Sequence, residues 1–473
     1  MQCGLHVQEI GWIEPQLAAE LLRPLGGLAF LDSAMQHPSL GRHSYVAADP
    51  FGRLIVDGNR VFLNGRPVAG PPFNAVADLL TRFTMESADD LPQFQTGAIG
   101  VFGYEAGRLL ERLPRPEAAA VGRMPEITLG LYDVVVAFDH AVRRAWIVSS
   151  GHPATTGERA KRATARAAAL AARLAPAWPI PRRHAPSIGR AAWRSNFLRK
   201  DFEAAVMRVK EYILDGDIYQ ANISQRFILE LPALYDPWTF YLKLRRRNAA
   251  TFCAYLEDGD WAVASSSPER FLKVENGAVE TRPIKGTAPR GVVPEEDARN
   301  AERLLASEKD RAENIMIVDL LRNDLSRVCR PHSVATPSLT VLETYAGVHH
   351  LVSSVTGQLS HGQSALDLLA AAFPGGSVTG VPKLRAMEII TELEREARGV
   401  YCGAIGCLGF NGFMDTSIAI RTVVFQNGLA SFHAGGGITA SSEPDAEYQE
   451  TLDKAERILQ AFEDEEPSQP CFS

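Results

Sequence analysis

Lys285 lies in the run Thr281-Arg282-Pro283-Ile284-Lys285-Gly286-Thr287, between a proline that stiffens the chain and a glycine that leaves room beside it. Pro283 fixes its own φ and biases Arg282 towards extended backbone, so the run suits a strand end rather than a helix interior. A lysine on so rigid a support becomes a nucleophile when burial or a neighbouring cation lowers its pKa. Taken alone it reads as an ordinary solvated lysine. Its company decides.

Two acidic groupings stand out. Glu313 comes just before an apolar run, in Arg311-Ala312-Glu313-Asn314. Glu447, Glu450 and Lys454 fall at i, i+3 and i+7, on one face of a helix. Carboxylates from separate helices, with few soft ligands nearby, suit Mg²⁺; the alternative is salt-bridging along a helix surface. Gly435, Gly436 and Gly437 follow an expected strand and form either an anion-binding nest or a plain turn. The segment 373–383 contains Gly375, Gly376 and Ser377 and leads into a helix, whose N-terminus favours anions. Arg421, inside the apolar run Ser417-Ile418-Ala419-Ile420-Arg421-Thr422, calls for a paired anion, either an internal carboxylate or a ligand. In His349-His350, a histidine is either structural or, beside those carboxylates, an acid/base group. The set points to a small polycarboxylate handled with Mg²⁺.

These residues need a scaffold. Hydrophobic periodicity predicts a β-rich first part with strands around 45–50, 53–56, 61–63, 131–138 and 145–148, and short helices such as 74–84. The glycines of 97–103 lack dinucleotide or Walker spacing, and close approach of strand backbones explains them better. An Ala/Arg-rich run predicts an exposed helix over 156–174. Further helices are expected over 201–214, over 295–321 with Leu304, Leu305, Ile315, Val318 and Leu321 inward, and over 446–462. Strands are expected over 261–266, 271–274, 403–410, 416–425 and 430–434. Pro176, Pro179, Pro181 and Pro186 mark a stiff connector. The division is therefore an N-terminal part over 1–185, a catalytic part over 186–462 and a flexible tail over 463–473. Strands and helices occur in blocks, which favours an α+β fold over a doubly wound sheet.

Composition narrows the function classes. The chain has 473 residues, 46% hydrophobic and 22% charged, as in an ordinary soluble globular protein. A net charge of −7 gives no basic footprint for nucleic acid. The six cysteines are scattered without disulfide or zinc spacing. Neither a secretory signal nor a bilayer-spanning apolar run is present, so a cytoplasmic location is expected.

The same residues carry a resemblance that covers nearly the whole chain. The segments DIYQANISQRF (217–227), SSPERF (266–271), PIKGT (283–287), DRAENIMIVDLLRND (310–324), GVHHLVS (347–353), FPGGSVTGVPKLRAM (373–387), AIRT (419–422), AGGGI (434–438) and EYQETLDK (447–454) resemble the chorismate-utilising enzymes. That family includes component I of aminodeoxychorismate synthase and of anthranilate synthase, with isochorismate and salicylate synthases more distant.

The resemblance implies large β-sheets packed as a sandwich with helices outside. It implies that Glu313 and Glu450 bind Mg²⁺, with Glu447 beside the metal's waters. Arg421, Thr287, Tyr401 and the amides of Gly435, Gly436 and Gly437 would hold the carboxylates of chorismate, with His350 and Ser377 also in the substrate pocket. Lys285 stands where anthranilate synthases usually have alanine, which favours amination at C4 through a covalent lysine adduct, with Glu269 as general acid. The product would be 4-amino-4-deoxychorismate, for 4-aminobenzoate and folate synthesis. Gln220 stands where isochorismate and salicylate synthases have a water-activating lysine. Ammonia would come from a separate glutamine amidotransferase subunit. Phe30-Leu31-Asp32-Ser33 resembles the Leu-Leu-Glu-Ser motif of a tryptophan pocket, with Asp for Glu, and places Ser33 in that pocket. The alternatives are anthranilate synthase component I and a non-catalytic amidotransferase partner.

Overall fold

The strand Val134–Asp139 is buried along its whole length because both of its faces are covered. Val134, Val136 and Phe138 join a core under the helices, whereas Val135 and Ala137 join a core between two sheets. Cys253 and Tyr255 part from Ala254 and Leu256 in the same way on Phe252–Asp258. This period of two builds a sandwich of two antiparallel sheets, each of twelve strands, with helices on the outer faces. The α+β expectation holds. The structure is a computed structural model that describes residues 4–35, 40–120, 122–175, 185–345 and 347–463.

Strands from before and after residue 185 share both sheets. Leu28–Asp32 pairs with Phe252–Asp258 in one, and Gly97–Phe102 pairs with Ala404–Gly409 in the other. A Cβ on Gly100 would lie 1.9 Å from the Thr128 carbonyl oxygen, so glycine is needed for this close approach. The proline-rich connector falls largely on 176–184, and the tail beyond Glu463 on 464–473. Both lie outside the described residues.

Four boundaries differ from expectation. The helix expected over 295–321 is two, Pro294–Ala306 and Glu308–Ser326. Ser307 is extended between them, and its hydroxyl caps the second helix by accepting from the Asp310 amide at 3.3 Å. The break resets the helical phase: Leu304, Val318 and Leu321 are buried, whereas Leu305 and Ile315 are exposed. The strand expected over 416–425 is also two, Met414–Ile418 and Thr422–Gln426, one in each sheet. Arg421 sits at the crossing with φ of 52°, so it lies between strands rather than within one. Asp133 marks a similar crossing within the expected strand over 131–138. Fourth, the glycine triplet does not follow a strand. It belongs to Leu429–Ile438, where Gly435, Gly436 and Gly437 pair with Ser224, Ile223 and Asn222.

Candidate active site

Lys285 is carried by Ile284–Pro289, which pairs with Val348–Gln358. The register slips between Lys285 and Thr287, and Gly286 supplies the bulge with φ of +80°. Bulges re-aim the side chains beside them. A Cβ on Gly286 would also meet Leu304 at 2.9 Å and Asp310 at 3.0 Å, so the two helices close directly over this bulge.

One short turn organises the chemistry around the lysine. Ser377, in the turn Gly376–Val378, accepts through its carbonyl from Lys285 Nζ at 3.4 Å. Its hydroxyl donates to Glu269 Oε1 at 2.7 Å. Glu269 is buried, and desolvation raises its pKa to about 7 against the pull of the Ser377 hydrogen bond and the Lys285 charge. Burial lowers the pKa of Lys285, although Glu313 and Glu269 oppose the shift. The pair is an acid still partly protonated near neutrality beside an amine that gives a proton up more easily than usual. That division of roles suits acid-assisted displacement by an amine.

The carboxylates come from two helices. Glu308–Ser326 carries Lys309 and Glu313, and Pro444–Glu463 carries Glu447, Glu450 and Lys454. Both Glu447 and Glu450 reach over Gly436: a Cβ there would lie 3.1 Å from Glu447 Oε2 and 3.4 Å from Glu450 Oε1. Glu447 accepts from the Ser442 hydroxyl at 2.6 Å and faces Lys309 Nζ at 4.0 Å. Glu450 pairs with Lys454 at 2.5 Å, and Lys454 also donates to the Gly435 carbonyl at 2.8 Å. Burial raises the pKa of Glu313 and of Glu447. Burial also works on Glu450, but the charge and hydrogen bond of Lys454 outweigh it and hold that carboxyl low. Among the described residues, no three His, Cys, Asp or Glu side chains form a ready-made metal cluster. The donors are nevertheless all hard oxygens, the type that suits Mg²⁺.

The other expected residues line the same region. Arg421 makes no side-chain hydrogen bond or ion pair among the described residues; burial and Arg457 lower its pKa, while Tyr401 and Glu450 oppose them. An arginine in that condition is suited to an anionic ligand. Tyr401 is buried, with its ring stacked on His433 at 5.0 Å. Thr287 is exposed and bonds His350 Nδ1 at 2.9 Å. Burial pushes His350 down to about 4, so it is neutral at pH 7. Gln220 is fully buried with its Oε1 unpartnered among the described residues, and its Nε2 lies 1.9 Å from where a Cβ of Gly437 would be. A side chain at Gly437 would displace the Gln220 amide and come within 3.5 Å of Lys285 Nζ.

Ser33 lies elsewhere, in a cavity of about 350 Å³ between the sheets that Asp32, Arg270, Cys407 and Asp415 also line. Asp32 accepts from the Tyr241 hydroxyl and from Arg245, each at 2.8 Å. Sequence reasoning missed Lys309, although its place one turn before Glu313 on the same helix was a usable signal. It also missed Glu394 and Arg398, which are buried behind the site.

A half-buried lysine, a carboxyl whose pKa burial raises to about 7 and a basic, glycine-lined floor beneath paired carboxylates define an enzyme for a small anionic substrate. A family model described as chorismate binding enzyme matches residues 32–460, and the chain belongs to that family. It is 46% identical to the aminodeoxychorismate synthase component 1 of Salmonella typhimurium, over 79% of this chain and 78% of that protein. It is 42% identical to the protein of the same description from Klebsiella aerogenes, over 92% and 93%. Among solved structures it resembles anthranilate synthase component I from Streptococcus pneumoniae TIGR4, with a TM-score of 0.77 and 32% identity over 90% of this chain and 93% of that one.

Proposed function

We propose that this enzyme aminates chorismate at C4 to give 4-amino-4-deoxychorismate, with Lys285 as a transient covalent nucleophile. The observation that carries the reading is the Ser377 turn, which holds Lys285 and the acid Glu269 at one place. Lys285 adds at C2 as its ring double bonds shift, and the C4 hydroxyl leaves as water with the proton of Glu269. The adduct nitrogen returns a proton to Glu269. Ammonia then adds at C4, the double bonds shift back, and the C2–N bond breaks as Glu269 protonates the leaving lysine nitrogen; the new C4 ammonium returns a proton to Glu269. The net change is exchange of hydroxyl for amine with loss of water. Two easier steps replace one poor allylic displacement, and C2 is occupied against a competing amine.

Glu313 and Glu450, with Glu447 beside them, would hold Mg²⁺, which supplies charge neutralisation for the ring carboxylate. Arg421 and the amides of Gly435, Gly436 and Gly437 would hold carboxylate oxygens. The designation component 1 in the relatives supports a partner subunit, read here as the glutamine amidotransferase that delivers ammonia. The cavity at Ser33 is at the low end of the range of small-molecule pockets, about 300–1,000 Å³, and is read as a tryptophan site.

Anthranilate synthesis is the second reading, favoured by the likeness to the Streptococcus pneumoniae structure. Incubation with chorismate, Mg²⁺ and an ammonium salt separates the two. A 4-aminobenzoate peak that depends on added aminodeoxychorismate lyase supports amination at C4. Fluorescent anthranilate without lyase overturns it.

A further inference from the structure

Arg398 lies behind the site with its side chain sealed from solvent, and it links the Ser377 turn, the strand at Asn222 and the ring of Tyr401. Its Nε and Nη2 bond both oxygens of Glu394, at 2.8 and 2.7 Å. Nη1 donates to the Val378 carbonyl at 3.1 Å, and Nη2 also donates to the Asn222 carbonyl at 2.7 Å. Val378 follows Ser377, and Asn222 pairs with Gly437 two residues from Gln220. The guanidinium also lies between two aromatic rings, 4.8 Å from Tyr104 and 5.6 Å from Tyr401.

The support comes from the other half of the chain. Glu105 accepts from the backbone amides of Arg398 and Gly399, at 2.9 and 2.8 Å. The Tyr104 amide donates back to the Gly399 carbonyl at 2.7 Å. Glu394 closes the ring of contacts from the far side, accepting from the amide and hydroxyl of Ser224 at 2.8 and 2.9 Å. An acidic last residue is unfavourable at a helix C-terminus, and Glu394 ends Lys383–Glu394, so the arginine that folds back onto it is its counter-charge. A planar fork bound to a carboxylate and two carbonyls at once is a task for arginine that lysine cannot match.

We propose that Arg398, backed by Tyr104 and Glu105, is the positioning residue of this active site. It sets the Ser377 turn, the strand at Asn222 and the ring of Tyr401 in one fixed relation. It touches none of the reacting groups itself. The Ser377 turn in turn sets the separation of Lys285 from Glu269. The inference deepens the proposed reaction and rests on that reading of Lys285 and Glu269.

The test is Arg398→Lys, assayed by chorismate consumption across pH at saturating Mg²⁺ and ammonium, with thermal melting alongside. The groups that face the Glu269 carboxyl are the Lys285 ammonium, the Ser377 hydroxyl and the Ile284 amide, with the Cys402 thiol within electrostatic range. The Ser377 bond holds Glu269 down, so a loosened turn lets its pKa rise. The expected result is a kcat lower by about 100-fold, the loss typical of a misplacement near 1 Å. The alkaline limb of the kcat profile should move to higher pH. Arg23→Lys is the control: Arg23 is equally buried, is paired with Asp236 at 2.7 Å and stands outside the site, so it should lower the melting temperature and leave the profile in place.

If Arg398→Lys does not fold, Tyr104→Leu and Glu105→Gln keep the guanidinium and weaken its support, with the same displacement expected on a smaller scale. Unchanged kcat and pH profile in the folded variants, with only a lower melting temperature, would overturn the proposal. Product identity in the unmodified enzyme tests the reaction separately, because chorismate consumption registers the displacement whichever amine forms.

Discussion

Replacing Glu269 by glutamine should remove a loss of stability with rising pH. A free glutamate has a pKa of 4.5, and burial pushes Glu269 up to about 7 in the folded protein. Between these values the folded state binds more protons than the unfolded state, so stability falls as pH rises through that window. At about 1.4 kcal/mol per pH unit, the gap amounts to about 3 kcal/mol, fully lost above pH 7. The glutamine side chain has no proton to lose, keeps an oxygen to accept from Ser377, and should remove this dependence. Chemical denaturation of both proteins at pH 5 and pH 8 gives the comparison. The variant should gain about 3 kcal/mol relative to the parent between the two conditions, while chorismate turnover is lost at both. A parent–variant difference that is the same at both pH values would refute the reasoning, because Glu269 would then have an ordinary pKa and could not hold a proton for the leaving hydroxyl.

Lys285→Ala should lower 4-amino-4-deoxychorismate formation by at least about 100-fold, measured by the lyase-coupled assay; full retention would remove the covalent role. Gly436→Ala places a methyl 3.1 Å from Glu447 and 3.4 Å from Glu450, and should raise the Mg²⁺ concentration for half-maximal rate by about 10–100-fold in a metal titration. His350 is held neutral with a folded pKa of about 4. The stability tied to that histidine should therefore be present above pH 6.5 and fall as pH drops towards 4, and His350→Gln should abolish that fall in denaturation curves. Ser33→Leu should fill part of the inter-sheet cavity and weaken tryptophan binding about tenfold or more by calorimetry, without changing kcat.

The residues of the site were legible because their types are unusual where they stand: a lysine beside proline and glycine, carboxylates one turn apart, three glycines in succession. Their setting was less so. Helix periodicity runs unbroken through Ser307 when only side-chain polarity is read, yet the serine caps a second helix and re-phases the residues that follow. Apolar runs at 131–138 and 416–425 do not tell a long strand from a chain crossing between sheets, since both faces are buried in either case. The left-handed turn at Arg421 shows only in the backbone. Arg398 carried no signal at all, because a salt-bridge spacing of four residues from Glu394 is common on exposed helices and its burial depends on segments nearly 300 residues away in sequence.

The pairing of Gly97–Phe102 with Ala404–Gly409 also has a consequence for how the molecule is made. During synthesis the first strand leaves the ribosome roughly 300 residues before its partner, a delay of about 15–60 s at about 5–20 residues per second. Leu28–Asp32 waits in the same way for Phe252–Asp258. Each nascent chain therefore presents two unpaired sheet edges for many seconds, one on each future layer of the sandwich. Such edges are templates for strands of neighbouring chains. Yield of this protein in a cell should depend on translation rate and on chaperones that cover open edges more than on the stability of the finished fold.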